Sequence, residues 1–204
     1  IEESVKDKDH MPSGVSIQSR LEDLWNSLAK KGNDEKNTQE NSAKEGEDIA
    51  ERNIRVLIMT DGYKQLVHKK IEVSASGGLL IEKNGTKEET GENEKITITR
   101  EDSGLQNGKI RIEAKDGGEI SILSIQRGYG TPEYPGSLEL YATSEGIVII
   151  NELPVEKYLY KVVPSEMPAS YQKEALKAQT VCARNYAYRQ IEDYAYPEYQ
   201  AHVN

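Results

Sequence analysis

Glu166 is a carboxylate that lies between two prolines, Pro164 and Pro168. Each proline fixes one φ angle, so the backbone around this glutamate has fewer conformations to lose on folding. If the apolar neighbours Val163 and Met167 exclude water from it, its ionised form is disfavoured and its pKa rises toward the range of a general acid. The alternative is a solvated surface glutamate that interacts with the following turn. Residue type alone leaves both interpretations open.

Other reactive side chains lack the spacing of a catalytic or metal centre. His10, His68 and His202 are scattered along the chain, so we predict no metal ligands and no cofactor. The single cysteine, Cys182, cannot form an internal disulfide. Its place in a helical pattern favours a small buried side chain over a nucleophile.

Tyrosine is concentrated in the C-terminal part, with eight of the twelve from Tyr158 onward. Its ring has a flat apolar face and a polar tip, which suits stacking on sugars. We expect Tyr158 and Tyr186 in the core. The candidates for a ligand groove are Tyr171, Tyr188, Tyr196 and Tyr199.

Two predicted helices position Glu166. Pro154 suits the first turn of a helix, where its missing N–H would be unpaired anyway, and an apolar stripe follows it. We expect Pro164 to end this helix, so that Glu166 lies in a loop between helices. Ser170 is the predicted N-cap of a second helix over residues 172–191, which are good helix formers.

Before these helices, apolar and polar residues alternate in short runs that predict strands. Turn pairs such as Asn84-Gly85 and Asn107-Gly108 separate the runs, and short connections favour antiparallel pairing. The predicted strands cover residues 54–59, 66–73, 95–99, 109–114, 119–125, 137–141 and 146–150.

The N-terminal part is predicted to be a polar stalk. Residues 1–48 contain seven Lys and Arg against twelve Asp and Glu, with little apolar material after Lys30. Apolar residues at helical spacing around Trp25 predict one short amphipathic helix that docks or mediates association. A purely structural assembly protein that uses this helix is one possible interpretation of the chain.

Charge and hydropathy restrict the partners and the location. A net charge of -9 argues against nucleic acid, whose binding depends on Lys and Arg that neutralise phosphates. The sequence contains no apolar run of about 20 residues and no signal-peptide pattern. Because the first residue is Ile, we expect that upstream sequence was removed and that any anchor or export signal lay there.

Four blocks near the C-terminus resemble the signature of the SpoIID/LytB family, in the family's order. They are NELPVEKYL at 151–159, VVPSEMP at 162–168, EALKAQ at 174–179 and ARNYA at 183–187. A weaker likeness extends back through the predicted strands to Ile54. Members of this family act in sporulation, where lytic transglycosylases cleave peptidoglycan glycan strands during engulfment, and one relative enhances a cell-wall amidase.

The resemblance implies that Glu166 is the catalytic acid and that Arg184 takes part in catalysis. We add Ser165, Tyr171 and Tyr188 as substrate-binding candidates. The implied reaction cleaves the bond between N-acetylmuramic acid and N-acetylglucosamine and forms a 1,6-anhydro product. The alternatives are a non-catalytic peptidoglycan-binding module, an activator of a cell-wall amidase, and, for Arg184, a salt-bridged helix residue without a catalytic role.

We therefore predict an α+β protein in the cell envelope, outside the cytoplasm, anchored or secreted through upstream sequence. Residues 1–50 form the flexible polar stalk, and residues 51–204 form a SpoIID-like domain. In that domain a mainly antiparallel β region, 51–150, precedes a helical catalytic region, 151–204. Because a central helix is followed by an open end, we expect the domain to be truncated at its C-terminus. The expected partners are peptidoglycan glycan strands and other cell-wall hydrolases.

Overall fold

The computed structural model describes residues 52–204. The predicted stalk and its Trp25 helix lie outside the described residues. The strands are β1 (Asn53–Leu57), β2 (Val67–His68), β3 (Lys70–Ser74), β4 (Leu79–Lys83), β5 (Thr86–Glu89), β6 (Ile96–Thr99), β7 (Lys109–Ala114), β8 (Ile120–Ile122), β9 (Glu133–Tyr134), β10 (Ser137–Ala142) and β11 (Ile147–Pro154). The helices are α1 (Ser103–Gln106), α2 (Val155–Glu166) and α3 (Lys173–Ile191).

The strands form two antiparallel sheets, which confirms the predicted α+β class. The larger sheet has the order β1-β11-β10-β7-β4-β5, with β2 also paired to β11. The smaller sheet has the order β6-β3-β8-β9. Every pairing between these strands is antiparallel, in agreement with the short connections.

The main core lies between the two sheets. Alternate residues of β10 and β11, such as Leu138, Leu140 and Ile149, are fully buried in it. The intervening residues of these strands face the opposite side of the larger sheet, as a period of two requires. Each such apolar side chain contributes about 1.5–3 kcal/mol when it is removed from water. The core thus stabilises the larger sheet, and α2 and α3 pack against its strand β1.

The strand predictions differ from the structure in several places. The run 66–73 is two strands, because β2 and β3 belong to different sheets. Strand β11 extends beyond Ile150 to Pro154, since β1 pairs with it along its second half. The hairpin of β4 and β5 was missed although its Asn84-Gly85 turn was predicted; both turn residues have positive φ, as such hairpins require.

A charged network covers the outer side of the larger sheet around Glu139, whose residue is only 1% exposed. Its carboxylate accepts hydrogen bonds from Arg55, Lys109, Arg111 and Tyr141. Burial by itself would raise the pKa of Glu139, but the hydrogen bonds from Lys109, Tyr141 and Arg55 outweigh it and lower the pKa to about 2. The network thus joins β1, β7 and β10 on the face opposite the main core.

Gly136 leads into β10 in a conformation that only glycine tolerates well. Its φ is 82°, and a Cβ there would lie 2.3 Å from the carbonyl oxygen of Glu152. Gly85, with φ 73°, has open space around the same position. We expect Gly136→Ala to lower the free energy of unfolding by clearly more than Gly85→Ala, which carries only the left-handed penalty of about 1–2 kcal/mol. Urea unfolding of both variants measures this, and equal losses would contradict the close approach.

Candidate functional site

Helix α2 starts directly at the end of β11, so the larger sheet fixes its position. Pro154 is both the last residue of the strand and the N-cap of the helix. Val155, Tyr158 and Leu159 are buried against Ile54 of β1 and against α3. The apolar stripe predicted after Pro154 is confirmed, and it anchors the first turns of α2 to the sheet edge.

The prediction that Pro164 ends the helix is wrong, because α2 continues through it to Glu166. Proline removes one backbone donor, but it stands in the last turn, where only two helical residues follow. The Ser165 hydroxyl donates to the Val162 carbonyl at 2.7 Å, and the Met167 N–H donates to the Val163 carbonyl at 3.0 Å. These bonds keep the last turn closed.

Glu166 is therefore the last residue of α2 and not a loop residue. Its side chain is partly buried, and this burial raises its pKa above the ordinary value. The negative end of the helix dipole disfavours the carboxylate in the same direction. The buried hydroxyl of Tyr158, two turns earlier, lies close enough for Glu166 to raise the pKa of that tyrosine, after burial itself and Tyr186. A carboxyl group held in this way is suited to donating a proton.

Helix α3 begins at Lys173, and its N-cap is Gln172, not Ser170 as predicted. Ser170 lies instead in a turn that the Tyr171 N–H closes on the Pro168 carbonyl at 3.0 Å. The buried face of α3 follows the predicted stripe through Ala183 and Ala187, with Tyr186 beside them. The opposite face is open to solvent, as Val181 is 51% exposed.

Arg184 is paired with Glu156 and not with Glu166. Its Nε and one Nη donate to the two carboxylate oxygens of Glu156, each at 2.8 Å. Glu156 and Glu166 are ten residues apart on α2, which is about 15 Å along the axis at 1.5 Å per residue. The structure thus shows the salt-bridged arginine that the sequence left as an alternative, at the far end of α2 from Glu166.

The substrate-binding candidates divide between the two ends of the helix pair. Ser165 directly precedes Glu166, and Tyr171 is 55% exposed in the short connection from α2 to α3. Tyr188 lies beside Glu156 and Arg184, about 22 Å from the start of α3 along its axis. Tyr196 and Tyr199 pack partly buried against a cluster around Leu57 and Ile150 on the sheet, and not in this region.

Tyr158 and Tyr186 are buried, as predicted. Cys182 is partly buried against the α2–α3 cluster, in agreement with a packing role.

The two histidines of the described residues are buried and hydrogen-bonded to the backbone. His68 bonds the Ile58 carbonyl through Nε2, and His202 accepts from the Arg55 N–H through Nδ1. Within residues 52–204 no group of three or more His, Cys, Asp or Glu side chains is arranged to hold a metal ion.

Two residues of this region were missed by the sequence reasoning, Glu156 and Tyr160. Glu156 is the partner of Arg184, and the hydrogen bonds that Arg184 donates to it raise the pKa of Arg184 against the lowering effect of burial. Tyr188 and then Tyr160 lie near enough to Arg184 to raise its pKa further. The available signal was the spacing of four residues in Glu156–Tyr160 and in Arg184–Tyr188, which places each pair on one helix face.

Two clefts in the described residues lie away from Glu166. One, of about 300 Å³, opens beside the β4–β5 hairpin and β6. The other, of about 280 Å³, lies beside His68 and Ser124. Among the helices of residues 52–204, none has the length and apolar content to cross a membrane.

Glu166→Gln is expected to stabilise the fold at neutral pH. Since burial raises the folded-state pKa of Glu166, the folded chain holds this proton more tightly than the unfolded chain. The stabilisation that comes from protonated Glu166 is complete below the pKa of this residue in the unfolded chain, and it is lost as pH rises through the pKa in the folded chain. A glutamine side chain stays neutral and does not lose this stabilisation, so the variant should melt at a higher temperature than wild type at neutral pH. The two melting curves should converge in acid; a variant that melts lower at neutral pH contradicts the raised pKa.

Comparison with known proteins places the likeness in this same part of the chain. Residues 143–204 match the SpoIID family model, described as stage II sporulation protein. An uncharacterised protein of Brachyspira hyodysenteriae is 34% identical over 97 residues, which cover 47% of this chain and 25% of that protein. Stage II sporulation protein D of Bacillus subtilis is 44% identical over 55 residues, and its Bacillus amyloliquefaciens counterpart is 44% identical over 57.

The chain thus spans a quarter or less of the length of these relatives, with 16% for each of the two Bacillus proteins. No solved structure matches the chain. The matched residues 143–204 contain β11, α2 and α3, and therefore both ends of the helix pair described above.

Proposed function

We propose, from the match of residues 143–204 to the SpoIID family model, that the chain is a peptidoglycan lytic transglycosylase with Glu166 as general acid and base. The bond cleaved joins N-acetylmuramic acid to N-acetylglucosamine. The observation that carries the proposal is the state of Glu166 at the end of α2. Its carboxyl group is partly buried, and that burial raises its pKa.

A raised pKa keeps a larger share of Glu166 protonated at working pH, as a general acid must be. In the first step the carboxyl proton passes to the glycosidic oxygen, and the bond from that oxygen to the muramic anomeric carbon breaks. The resulting carboxylate then takes the proton of the muramic C6 hydroxyl while the C6 oxygen bonds to the anomeric carbon. Glu166 is protonated again, and no water is consumed.

This route needs one carboxylate, because the substrate supplies its own nucleophile, whereas ordinary glycosidases use two. Acid–base catalysis of this kind contributes about 100- to 10,000-fold. The rest of the acceleration must come from binding and orientation of the sugar. Tyr171, exposed in the connection that follows Glu166, offers a ring face for such a contact. The Ser165 hydroxyl oxygen, which donates its proton to Val162, can still accept a hydrogen bond.

The setting we propose follows from the relatives' name, stage II sporulation protein D, and from the resemblance. We place the activity in the cell envelope, outside the cytoplasm, during engulfment. The chain would be anchored or secreted through upstream sequence, with glycan strands and other cell-wall hydrolases as partners.

Incubation with purified sacculi tests the proposal. A transglycosylase releases soluble fragments that end in 1,6-anhydro-muramic acid, which chromatography of the supernatant detects. A binding module would sediment with the sacculi and release nothing. An amidase activator would change only the release of stem peptides by an added amidase. Either of these two outcomes would replace the proposed activity.

A further inference from the structure

A second group of ligand-type side chains lies at the end of the helix pair away from Glu166. Glu156 and Tyr160 occupy one face of α2, and Arg184 and Tyr188 occupy the facing side of α3. Each pair is four residues apart, so the four side chains lie together across the two helices. Glu156–Arg184 is the only ion pair between α2 and α3 within residues 52–204.

The Arg184 guanidinium is held in one orientation, and some of its N–H donors remain available. Two of its five N–H donors bond Glu156, while its other Nη has no hydrogen-bond partner within residues 52–204. The Tyr188 hydroxyl lies against the same carboxylate and, after Arg184, helps lower its pKa. The side chains of Arg184 and Glu156 remain 35% and 39% exposed. A planar donor group held by a bidentate partner and open at one edge is suited to bind an oxygen ligand.

A role in stabilising the contact between α2 and α3 does not account well for this arrangement. Ion pairs of this exposure contribute about 0–1 kcal/mol to stability. Tyr160 is 78% exposed and so adds little packing. The exposed ring of Tyr160 near the directed Arg184 guanidinium offers a sugar both a flat apolar face and hydrogen-bond donors.

We propose that Glu156, Tyr160, Arg184 and Tyr188 form a second sugar-binding subsite, remote from the bond that Glu166 cleaves. In it Glu156 is a positioning residue that aims the free edge of Arg184 at a sugar hydroxyl or N-acetyl oxygen, and the ring of Tyr160 stacks on the sugar face. The inference rests on the proposed function for its ligand, a glycan strand. Along the axis of α2, Glu156 lies about 15 Å and Tyr160 about 9 Å from Glu166. The subsite therefore holds the strand at a sugar beyond the two that the cleaved bond joins, and it makes Arg184 a binding residue.

The test measures binding in a Glu166→Gln background, so that no cleavage is required. The probe is glycan strands from sacculi stripped of their stem peptides, followed by titration calorimetry. We expect Tyr160→Ala and Glu156→Gln each to weaken binding by about tenfold. The matched control is Tyr129→Ala, because Tyr129 is also a strongly exposed tyrosine but lies on the loop between β8 and β9. Unchanged binding in Tyr160→Ala, or an equal loss in Tyr129→Ala, overturns the subsite.

Steady-state kinetics distinguish a positioning role of Glu156 from a purely structural role. With Glu166 intact, the same two substitutions should raise KM for long strands by about tenfold and leave kcat within about twofold. A short glycan fragment that occupies only the Glu166 end should be cleaved as by wild type. If kcat falls for both the long and the short substrate, the Glu156–Arg184 pair has a structural or catalytic role, and the proposed subsite is wrong. If the wild-type chain binds strands through these residues but cleaves none, the proposed function is wrong and the subsite stands.

Discussion

Glu166→Gln is expected to lower the rate of glycan cleavage by about 100- to 10,000-fold and to leave the fold intact. The amide keeps the size of the side chain but neither delivers nor recovers a proton at the glycosidic oxygen. Since Glu166 makes no ion pair within residues 52–204, its replacement breaks no salt bridge there. The measurement is the rate at which anhydro-ended fragments appear from purified sacculi.

The control for this prediction is Glu174→Gln, which alters a carboxylate in the first turn of α3, with its side chain 80% exposed. It pairs only with Lys177 on the surface, so activity should remain near the wild-type level. Circular dichroism of both variants confirms folding. Wild-type rates in Glu166→Gln would remove this residue from the chemistry, whatever the activity of the chain.

Glu139→Gln is expected to destabilise the fold by about 3–5 kcal/mol, the usual cost of removing one partner from a buried charge network. Arg55, Lys109 and Arg111 would be left facing a neutral amide under the larger sheet's outer surface. Because β1 and β10 flank the strand that leads into α2, the same change should also loosen the platform of the helix pair. Urea unfolding at neutral pH measures the loss.

The pH dependence of this loss has a definite sign. The folded pKa of Glu139 is lowered to about 2 from an ordinary 4.5, so its stabilisation is present above the unfolded pKa and is lost as pH falls through the folded one. The gap between wild type and Glu139→Gln should therefore narrow across that acid window. Glu113→Gln, at the exposed edge of the network, should lose no more than about 1 kcal/mol. A constant gap, or equal losses in both variants, would contradict a buried anion.

How far the fold is predictable depends on whether local pattern or tertiary pairing decides an element. Alternation of apolar and polar residues predicts β7 with its correct bounds, since Ile110 and Ile112 face the core. The same rule fails for β5, whose four residues, Thr86–Glu89, are all exposed. That strand exists because β4 pairs with it, which no pattern inside β5 reports.

The candidate site shows the same division. Proline chemistry and family blocks point to Glu166, but the extent of α2 past Pro164 depends on bonds that Ser165 and Met167 make to the preceding turn. The family blocks also point to Arg184, but they do not give its partner. The crossing of α2 and α3 brings Arg184 to Glu156, and that crossing is decided by tertiary packing.

The segment that matches the family model depends on strands outside it for its position. The matched residues 143–204 begin just before β11, yet β11 is paired on both sides, by β1 and β10. Ile54 of β1 completes the apolar cluster beneath α2. The segment that carries Glu166 is therefore positioned by strands outside the match, and tests of function should use the chain with its β region.

Cleavage of purified sacculi in heavy-oxygen water, with mass spectrometry of the products, tests the central claim most directly. Transfer to the muramic C6 hydroxyl through Glu166 predicts fragments one water lighter than hydrolysis products, with no heavy oxygen at the new end. These fragments should be missing with Glu166→Gln. Fragments that carry heavy oxygen at a reducing end, or anhydro ends that persist in the variant, would contradict the account.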